Sequence, residues 1–424
     1  MPETPERVDC PADRSTGAYR PTSNRQWRVA DLQGARQLVV DGVVGATEVV
    51  EAMHHNISGL VPLVGNGRRG RKRGIAGFVY RSIRVVSRLV GLGAGALVEG
   101  VKPFLNTSGS NHTVSRRREA VIAALNGVLG DHLAASNNPL SISMRLRVDG
   151  CPVSPDRETL RRYVGSASAR PLILLHGLCM NDLQWHRDGH DHGAALARDL
   201  GYAPLYVHYN TGRRIEENGR RFSELMERLV REWPEPSPNM AMIGHSMGGL
   251  VIRSAWDHAG RVGLTWPERL GTVVFLGTPH HGAPMERAGQ WVDRALGRSP
   301  YTEPISRIGR MRSAGINDLC HGGGASDGSS TRSRTLPLPA GTTCFAIAAS
   351  LHSRSGIRHR EVPDDGLVPV ASALGEHADP ERCLEIPPSQ QRLFAARSHF
   401  DLLSDPDVYE QIRRWLGKIE QDGG

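Results

Sequence analysis

A serine flanked by two glycines is the feature of this sequence with the clearest chemistry. The segment Gly244–Gly248 joins an apolar, strand-like run to a helical segment and has the pattern G-x-S-x-G around Ser246. Such a sharp turn raises a serine hydroxyl above the end of a sheet. Glycine is needed at both flanks because a side chain would clash where strand and helix come close. The spacing therefore predicts Ser246 as a nucleophile.

A short apolar run upstream, Pro171–Leu175, is typical of a buried parallel strand and ends at His176, Gly177 and Leu178. In hydrolases with this serine turn, the loop after that strand supplies one oxyanion N–H, and the residue after the serine supplies the other. These donors are predicted to be Leu178 and Met247. Gly177 and His176 are assigned to the substrate-binding surface. For His176 we favour a role in holding the loop over a role as catalytic base.

Acid and base candidates follow the serine in the order Ser, Asp or Glu, then His that this turn predicts. Asp364 and Asp365 come after an apolar run at 344–348, and His399 comes after another at 383–386; these runs are predicted to be the last two strands of the sheet. His399 is predicted to take the serine proton and return it to the leaving alcohol. One aspartate would orient it, and the residues alone leave Asp364 and Asp365 open. His280 lies between the serine and the aspartates and is assigned to the acyl pocket.

Several motifs together resemble the bacterial triacylglycerol lipases and the inositol deacylases of the GPI-anchor pathway, which are serine esterases of the α/β-hydrolase superfamily. The resemblance covers roughly residues 170–417. It implies an α/β fold with a mostly parallel sheet and helices on both faces, ester cleavage through an acyl-enzyme, and no cofactor. It also favours Asp365 over Asp364. The motifs are Gly244–Gly249, Gly277–Gly282, His176–Leu178, Asp365–Val368 and His399–Asp401.

The same resemblance raises the question of calcium near His399. Some of these lipases use the aspartate two residues after the catalytic histidine as a ligand, and Asp401 has that spacing. No second ligand can be placed, and Asp401 fits the turn before the last helix equally well. We therefore assign no metal site.

The chain divides into three predicted parts. Residues 1–30 are polar and predicted to be disordered, residues 31–140 to be a helical extension, and residues 141–420 to be the hydrolase domain. An insertion at about 283–341 leaves the sheet pattern beside the active-site mouth. It is interpreted as a cap or lid, with a plain surface loop as the alternative.

Residues 68–99 combine a basic cluster with a helix that has arginines on one face and apolar residues on the other. The arginines exclude a simple transmembrane span. Two interpretations stay open. The helix packs on the hydrolase domain or on a second copy, or it lies on a membrane surface with its apolar side inward.

Composition narrows the function classes. The 424-residue chain has a net charge of +8 and 5% aromatic residues, and no nucleic-acid-binding motif is found. Its six cysteines lack metal-binding spacing, and its polar start is unlike a signal peptide, so we expect free thiols and a cytoplasmic protein with possible peripheral membrane contact. The predicted function is cleavage of lipid-like carboxylic esters. The alternatives are acyl transfer by the same triad and a non-catalytic membrane- or partner-binding role, and oligomeric state stays open.

Overall fold

An eight-stranded, mostly parallel sheet is the centre of the computed structural model, which describes residues 33, 34, 37, 111–164, 170–234, 239–283, 313–322, 336–353 and 364–422. The central strands are almost entirely buried, as expected for parallel strands covered by helices on both faces. The strands are β1 Arg145–Val148, β2 Cys151–Val153, β3 Arg170–Leu175, β4 Tyr202–His208, β5 Met240–His245, β6 Leu270–Leu276, β7 Thr343–Ser350 and β8 Gln391–Ala395.

The strand order is β2-β1-β4-β3-β5-β6-β7-β8. Strand β1 pairs antiparallel with β2 and β4. The strands β3 to β8 are all parallel to one another. The chain runs from β3 to β4 in one direction and then returns to β5 on the other side of β3. This reversal opens a crevice at the carboxyl ends of β3 and β5, where open parallel sheets bind ligands.

The helices pack on the sheet in two groups. Because parallel crossovers are right-handed, the β3–β4 connection lies on one face of the sheet and the β4–β5 and β5–β6 connections lie on the other. The helices are α1 Asn111–Ala135, α2 Arg157–Val164, α3 His192–Leu200, α4 Ile215–Glu232, α5 Met247–Val262, α6 Ala314–Cys320, α7 Val370–Ala373 and α8 Pro406–Asp422. In agreement with this division, α3 contacts α8, whereas α4 packs along α5. The predicted α/β-hydrolase fold is confirmed.

The strand before His399 differs from the prediction. Residues 383–386 form no strand, and the last strand is instead β8, Gln391–Ala395. Strand β8 is an edge strand, half-exposed and partly polar, so it lacks the apolar run that marks a buried strand. The final helix begins at Pro406, with Asp405 Oδ1 accepting from Asp407 N at 2.9 Å.

Helix α1 packs into the same hydrophobic core as the sheet. Its side chains Leu125, Val128 and Leu133 are buried there. Thus residues on the N-terminal side of the predicted boundary at 141 share the core of the hydrolase domain. Residues 1–30, the segment 68–99 and most of the predicted cap lie outside the described residues. Among the helices that are described, none combines the length and apolar character that crossing a bilayer requires.

The cysteines differ in one respect from the expectation of free thiols. Cys151 is disulfide-bonded, so the expectation is wrong at that position. Four of the other described cysteines are not disulfide-bonded, and burial raises the pKa of the Cys179 and Cys344 thiols to about 12. These four residues are Cys179, Cys320, Cys344 and Cys383.

Candidate active site

Ser246 occupies a strained turn between β5 and α5. Its backbone has φ 56° and ψ −123°, a conformation that costs a residue with a side chain on the order of 1–3 kcal/mol. The turn is held because Ser246 N donates to Leu276 O at 2.8 Å and Gly249 N donates to Ser246 O at 3.1 Å. The Ser246 hydroxyl is buried and has no hydrogen-bond partner among the described residues.

The two flanking glycines are required by close backbone contacts. A Cβ at Gly244 would lie 2.6 Å from Gly249 N, and a Cβ at Gly248 would lie 2.4 Å from Leu175 O. Real Cβ atoms do not approach backbone this closely, so any larger residue would move the helix away from the sheet. The prediction that strand and helix come too close for a side chain is confirmed.

Asp365 and His399 form a buried pair. His399 Nδ1 lies 2.6 Å from Asp365 Oδ2, and both side chains are about 1% exposed. Asp365 Oδ1 accepts from Leu367 N at 2.9 Å and Val368 N at 2.8 Å, which fixes the carboxylate. With Nδ1–H donating to the carboxylate, Nε2 carries the lone pair that can accept a proton.

The neighbouring carboxylate has a different contact. Asp364 Oδ1 accepts from Gly366 N at 2.8 Å within its own turn. The structure thus brings Asp365, and not Asp364, to the imidazole of His399, as the resemblance implied.

Ser246 and the His399 ring each lie next to the end of β6, Ser246 at Leu276 and His399 at Gly277. Leu276 accepts the Ser246 N–H, and a Cβ at Gly277 would lie 2.9 Å from both Cε1 and Nδ1 of His399. Gly277 also has φ 57°, where glycine is favoured. The His399 ring lies 4.7 Å from the ring of His245, the residue before the serine. Sequence reasoning did not assign Gly277 a role, although it begins one of the quoted motifs.

The predicted oxyanion donors belong to the two segments next to the serine, the start of α5 and the loop after β3. Met247 is the first residue of α5, where a backbone N–H has no acceptor within the helix. Leu178 follows Gly177, whose Cβ, if present, would lie 3.1 Å from Ser246 Cβ. Among the described residues, the backbone hydrogen bonds outside helices and strands include none from the N–H of either Leu178 or Met247. The assignment of these two N–H groups as oxyanion donors stays a prediction.

His176 holds the loop that carries Leu178. Its ring stacks on Tyr209 at 4.4 Å between centroids, and its Nδ1 lies 3.0 Å from Gly177 O. Tyr209 OH donates to His176 O at 2.7 Å. Burial lowers the pKa of His176 to about 3, so the ring is neutral at pH 7. These contacts agree with the loop-holding role that we favoured.

His280 lies against Arg253 and Phe275. Its Nδ1 lies 2.9 Å from Arg253 Nη1, and its ring meets the edge of Phe275 at 4.8 Å. Burial, together with the charge of Arg253, holds the pKa of His280 well below its usual range. His280 therefore accepts a hydrogen bond from the guanidinium. The contacts with Arg253 and Phe275 hold its ring between α5 and β6. Its assignment to the acyl pocket stays a prediction.

A buried ionic network beneath the Leu178 loop was missed from sequence. Asp182 Oδ1 lies 3.0 Å from Arg147 Nη1 and 2.9 Å from His208 Nδ1, and Arg147 Nη1 also lies 3.0 Å from Glu119 Oε2. Burial would raise the pKa of Asp182, but the hydrogen bond from His208 and the charge of Arg147 together lower it to about 2. These residues join α1, β1 and β4 to the loop. Their spacing follows no motif, so the sequence gives no signal of them.

Asp401 takes part in the turn before the last helix. Its Oδ2 accepts from Ser398 N at 2.7 Å, next to His399 in the chain. Within the described ranges, no three histidine, cysteine or acidic side chains are grouped so as to hold a metal ion. Asp401 therefore supports the position of the His399 loop through a backbone contact.

The strand order, the serine turn and the buried Asp365–His399 pair together define an α/β-hydrolase fold with a strained serine turn at the switch point of its sheet. Residues 166–294, which include Ser246, match the family model of the PGAP1-like alpha/beta domain. The match confirms the superfamily resemblance seen in the motifs. No curated protein matches the chain.

Three solved structures are similar to this chain. Lipase BlEst2 of Bacillus licheniformis in mature form is 16% identical with TM-score 0.42, covering 65% of this chain and 97% of its own. An alpha/beta hydrolase superfamily protein from Enterococcus faecalis is 15% identical with TM-score 0.38, covering 60% and 92%. A lipase-esterase related protein from Clostridium acetobutylicum is 14% identical with TM-score 0.33, covering 59% and 95%.

Proposed function

We propose that this protein is a serine hydrolase that cleaves carboxylic esters with lipid-like acyl chains, through Ser246, His399 and Asp365. The observation that carries the proposal is the buried 2.6 Å contact between His399 and Asp365 at the same end of β6 as the strained Ser246 turn. A protein that had lost catalysis would not need to keep a serine in this costly conformation. No metal or organic cofactor is required for the chemistry.

The reaction begins when His399 Nε2 takes the proton of Ser246 Oγ as the oxygen attacks the ester carbonyl carbon. The N–H groups of Leu178 and Met247 stabilise the oxyanion that forms. Loss of one such donor typically costs 10²–10³ in rate, about 3–4 kcal/mol. Asp365 holds the imidazole in the required tautomer and stabilises its positive charge. The intermediate collapses when the carbon–oxygen bond to the alcohol breaks and His399 protonates the alcohol.

Water completes the cycle. His399 takes a proton from water, the resulting hydroxide attacks the acyl carbon, and the bond to Ser246 Oγ breaks. The proton then returns to the serine, and the carboxylic acid leaves. The same three side chains act in both halves, with His399 alternating between base and acid.

The apolar surroundings of the serine support an acyl chain as part of the substrate. Leu178, Met180 and Met247 are buried around the turn, and Phe400 packs its ring 5.6 Å from that of His399. Ser246 itself is fully buried.

The test is hydrolysis of p-nitrophenyl esters of increasing acyl length, together with labelling by a fluorophosphonate probe. We expect wild-type protein to hydrolyse the esters and to be labelled, and Ser246→Ala to lose both. The matched control is Ser254→Ala, a buried serine two turns further along α5 that has no role in the proposed chemistry. Labelling that persists in Ser246→Ala, or no hydrolysis and no labelling in wild type, contradicts the proposal.

A further inference from the structure

The loop that carries Leu178 contains a strained residue. Cys179 is buried and has φ 60°, in the left-handed region that glycine favours. Met180 N donates to Gly177 O at 3.3 Å, so these four residues form a tight turn with a positive φ at its third position. This combination is that of a type II turn, in which the third residue is usually glycine. A contact outside the turn is therefore needed to favour this conformation of Cys179.

Thr211, which follows strand β4, supplies such a contact. Cys179 N donates to Thr211 Oγ1 at 3.1 Å, and both residues are buried. In the alternative type I turn, the peptide between Leu178 and Cys179 is turned over, and Cys179 has a negative φ without strain. That form directs the Cys179 N–H away from the threonine hydroxyl. Because a buried N–H without an acceptor is costly, the hydroxyl favours the observed turn.

The contact with Thr211 lies next to the proposed oxyanion donor. The two peptides that flank Leu178 are each held by a side chain. Gly177 O accepts from His176 Nδ1 at 3.0 Å in the first peptide, and Cys179 N donates to Thr211 in the second. The N–H of Leu178 belongs to the first peptide and is directed opposite to Gly177 O, because the peptide is trans. The conformation of Leu178, and with it the direction of this N–H, depends on both contacts.

Helix α1 packs against the same cysteine. A Cβ at Gly127 of α1 would lie 2.2 Å from Cys179 Sγ and 3.0 Å from Cys179 Cα. The thiol therefore occupies the space that the missing side chain of Gly127 leaves. Helix α1 is itself tied to the residue before α6, since Ser313 Oγ donates to Gly127 O at 2.6 Å. Cys179 is thus held by a hydrogen bond from its backbone and by packing of its side chain.

We propose that Thr211, together with Gly127 of α1, positions the turn at 177–180 so that the Leu178 N–H can bind the oxyanion of the ester. Thr211 acts through the turn and not by contact with the substrate, so it is a positioning residue. This inference deepens the proposed function and rests on it. It also gives α1, which lies before the predicted domain boundary at 141, a part in the chemistry.

The first experiment compares Thr211→Val with Thr211→Ser. Valine keeps the shape of threonine but offers no acceptor to Cys179 N, whereas serine keeps the hydroxyl. We expect Thr211→Val to lower kcat for p-nitrophenyl butyrate at least about tenfold, part of the 10²–10³ that loss of a whole oxyanion donor costs, with KM within about twofold. Thr211→Ser should stay within about threefold of wild-type kcat. Unchanged kcat in Thr211→Val, or an equal loss in Thr211→Ser, overturns the proposal.

Thr342→Val is the matched control. Thr342 Oγ1 donates to Leu270 O at 2.9 Å, at the amino end of β6 and therefore at the opposite end of the sheet from the serine turn. The substitution makes the same chemical change and removes one hydrogen bond. We expect it to leave kcat and KM unchanged. A loss equal to that of Thr211→Val shows a general effect on the fold and overturns the positioning role.

Inhibition by trifluoromethyl propyl ketone tests the oxyanion site directly. Ser246 Oγ forms a bond to the ketone carbon, His399 takes the serine proton, and the carbonyl oxygen becomes an anion. We expect Thr211→Val to weaken inhibition by about the same factor as it lowers kcat/KM, because both depend on stabilising this anion. A lowered kcat with unchanged inhibition would place the loss outside the oxyanion site and overturn the proposal.

Gly127→Ala perturbs the same turn from the side of α1. Its Cβ would meet Cys179, so we expect kcat to fall at least about tenfold with little change in KM. The matched control is Gly260→Ala on α5, where an added Cβ has nothing within 4 Å. Both changes put alanine into a helix. Full kcat in Gly127→Ala, or an equal loss in Gly260→Ala, overturns the role of α1.

Hydrogen exchange at the Cys179 amide separates failure of this inference from failure of the proposed function. If wild type hydrolyses no ester and binds no ketone, the proposed function is contradicted. In that case, faster exchange at Cys179 N in Thr211→Val than in wild type still supports the positioning of the turn by Thr211, and equal exchange overturns it. If wild type is active, full activity of Thr211→Val contradicts the positioning role alone.

Discussion

Replacement of Asp365 by asparagine is the sharpest test of the proposed chemistry. Asparagine keeps the shape of the side chain and an oxygen that can accept from Leu367 N and Val368 N. The amide NH₂ then takes the place of Oδ2, 2.6 Å from His399 Nδ1. Two donors cannot face each other, so the imidazole must carry its proton on Nε2. That nitrogen can no longer accept the proton of Ser246.

The expected loss follows from this change of tautomer. An aspartate-to-asparagine replacement in a serine triad lowers kcat by about 10⁴, which corresponds to about 5.4 kcal/mol in activation free energy. The fold should be retained because both backbone hydrogen bonds have an acceptor. We therefore expect circular dichroism spectra like those of wild type and a loss that lies in kcat on p-nitrophenyl butyrate.

Asp364→Asn is the matched control. It makes the same chemical change one residue earlier, in a carboxylate that accepts from Gly366 N at 2.8 Å, and asparagine preserves that bond. We expect its kcat to stay within a factor of three of wild type. If Asp365→Asn keeps more than a tenth of wild-type kcat, or if Asp364→Asn falls equally far, the assignment of Asp365 is wrong.

Three other perturbations follow from the structure. In urea denaturation, the free energy of unfolding of Ser246→Gly should exceed that of Ser246→Ala by about 1 kcal/mol or more, because glycine adopts the positive φ without strain. Equal free energies of unfolding would contradict the strain at Ser246. Gly277→Ala should lower kcat about 10²-fold, since its Cβ would displace the His399 ring, and unchanged turnover would refute this contact. His176 has its folded pKa lowered to about 3, so the stability it contributes is complete above the unfolded value near 6.5 and is lost as pH falls from 6.5 toward 3. His176→Phe should therefore reduce the pH slope of unfolding free energy between pH 6 and 4 by about 1.4 kcal/mol per pH unit, and an unchanged slope would show that His176 is not buried neutral.

The sequence predicts the strongly patterned parts of the fold. The buried strands β3 and β5 stand out as apolar runs, and the turn after β5 is marked by glycines that close packing requires. Strand β8 does not stand out because an edge strand half-exposed to solvent can carry polar residues on either face. The apolar run at 383–386 forms no strand, because a short apolar segment does not by itself distinguish a strand from a loop.

For the candidate site, the sequence predicts side chains that belong to motifs and misses those placed by tertiary contact. Motif order predicts His399 and leaves Asp364 and Asp365 open, the resemblance favours Asp365, and the structure brings Asp365 to His399. The Asp182–Arg147 contact joins two distant elements and leaves no local pattern. His280, assigned to the acyl pocket from its position in the chain, lies against Arg253, a contact that needs the packing of α5 on β6 to be known.

The order of the sheet also has a consequence for how the protein is made. The proposed base His399 comes 153 residues after Ser246, the difference of the two residue numbers, beyond strands β7 and β8. At 5–20 residues per second a ribosome needs roughly 8–30 s to cover that distance. During that time the serine is present without its base, and β6 has an unpaired edge that invites association with other strands. The onset of ester hydrolysis in a translation reaction would thus report the moment at which the last strands have joined the sheet.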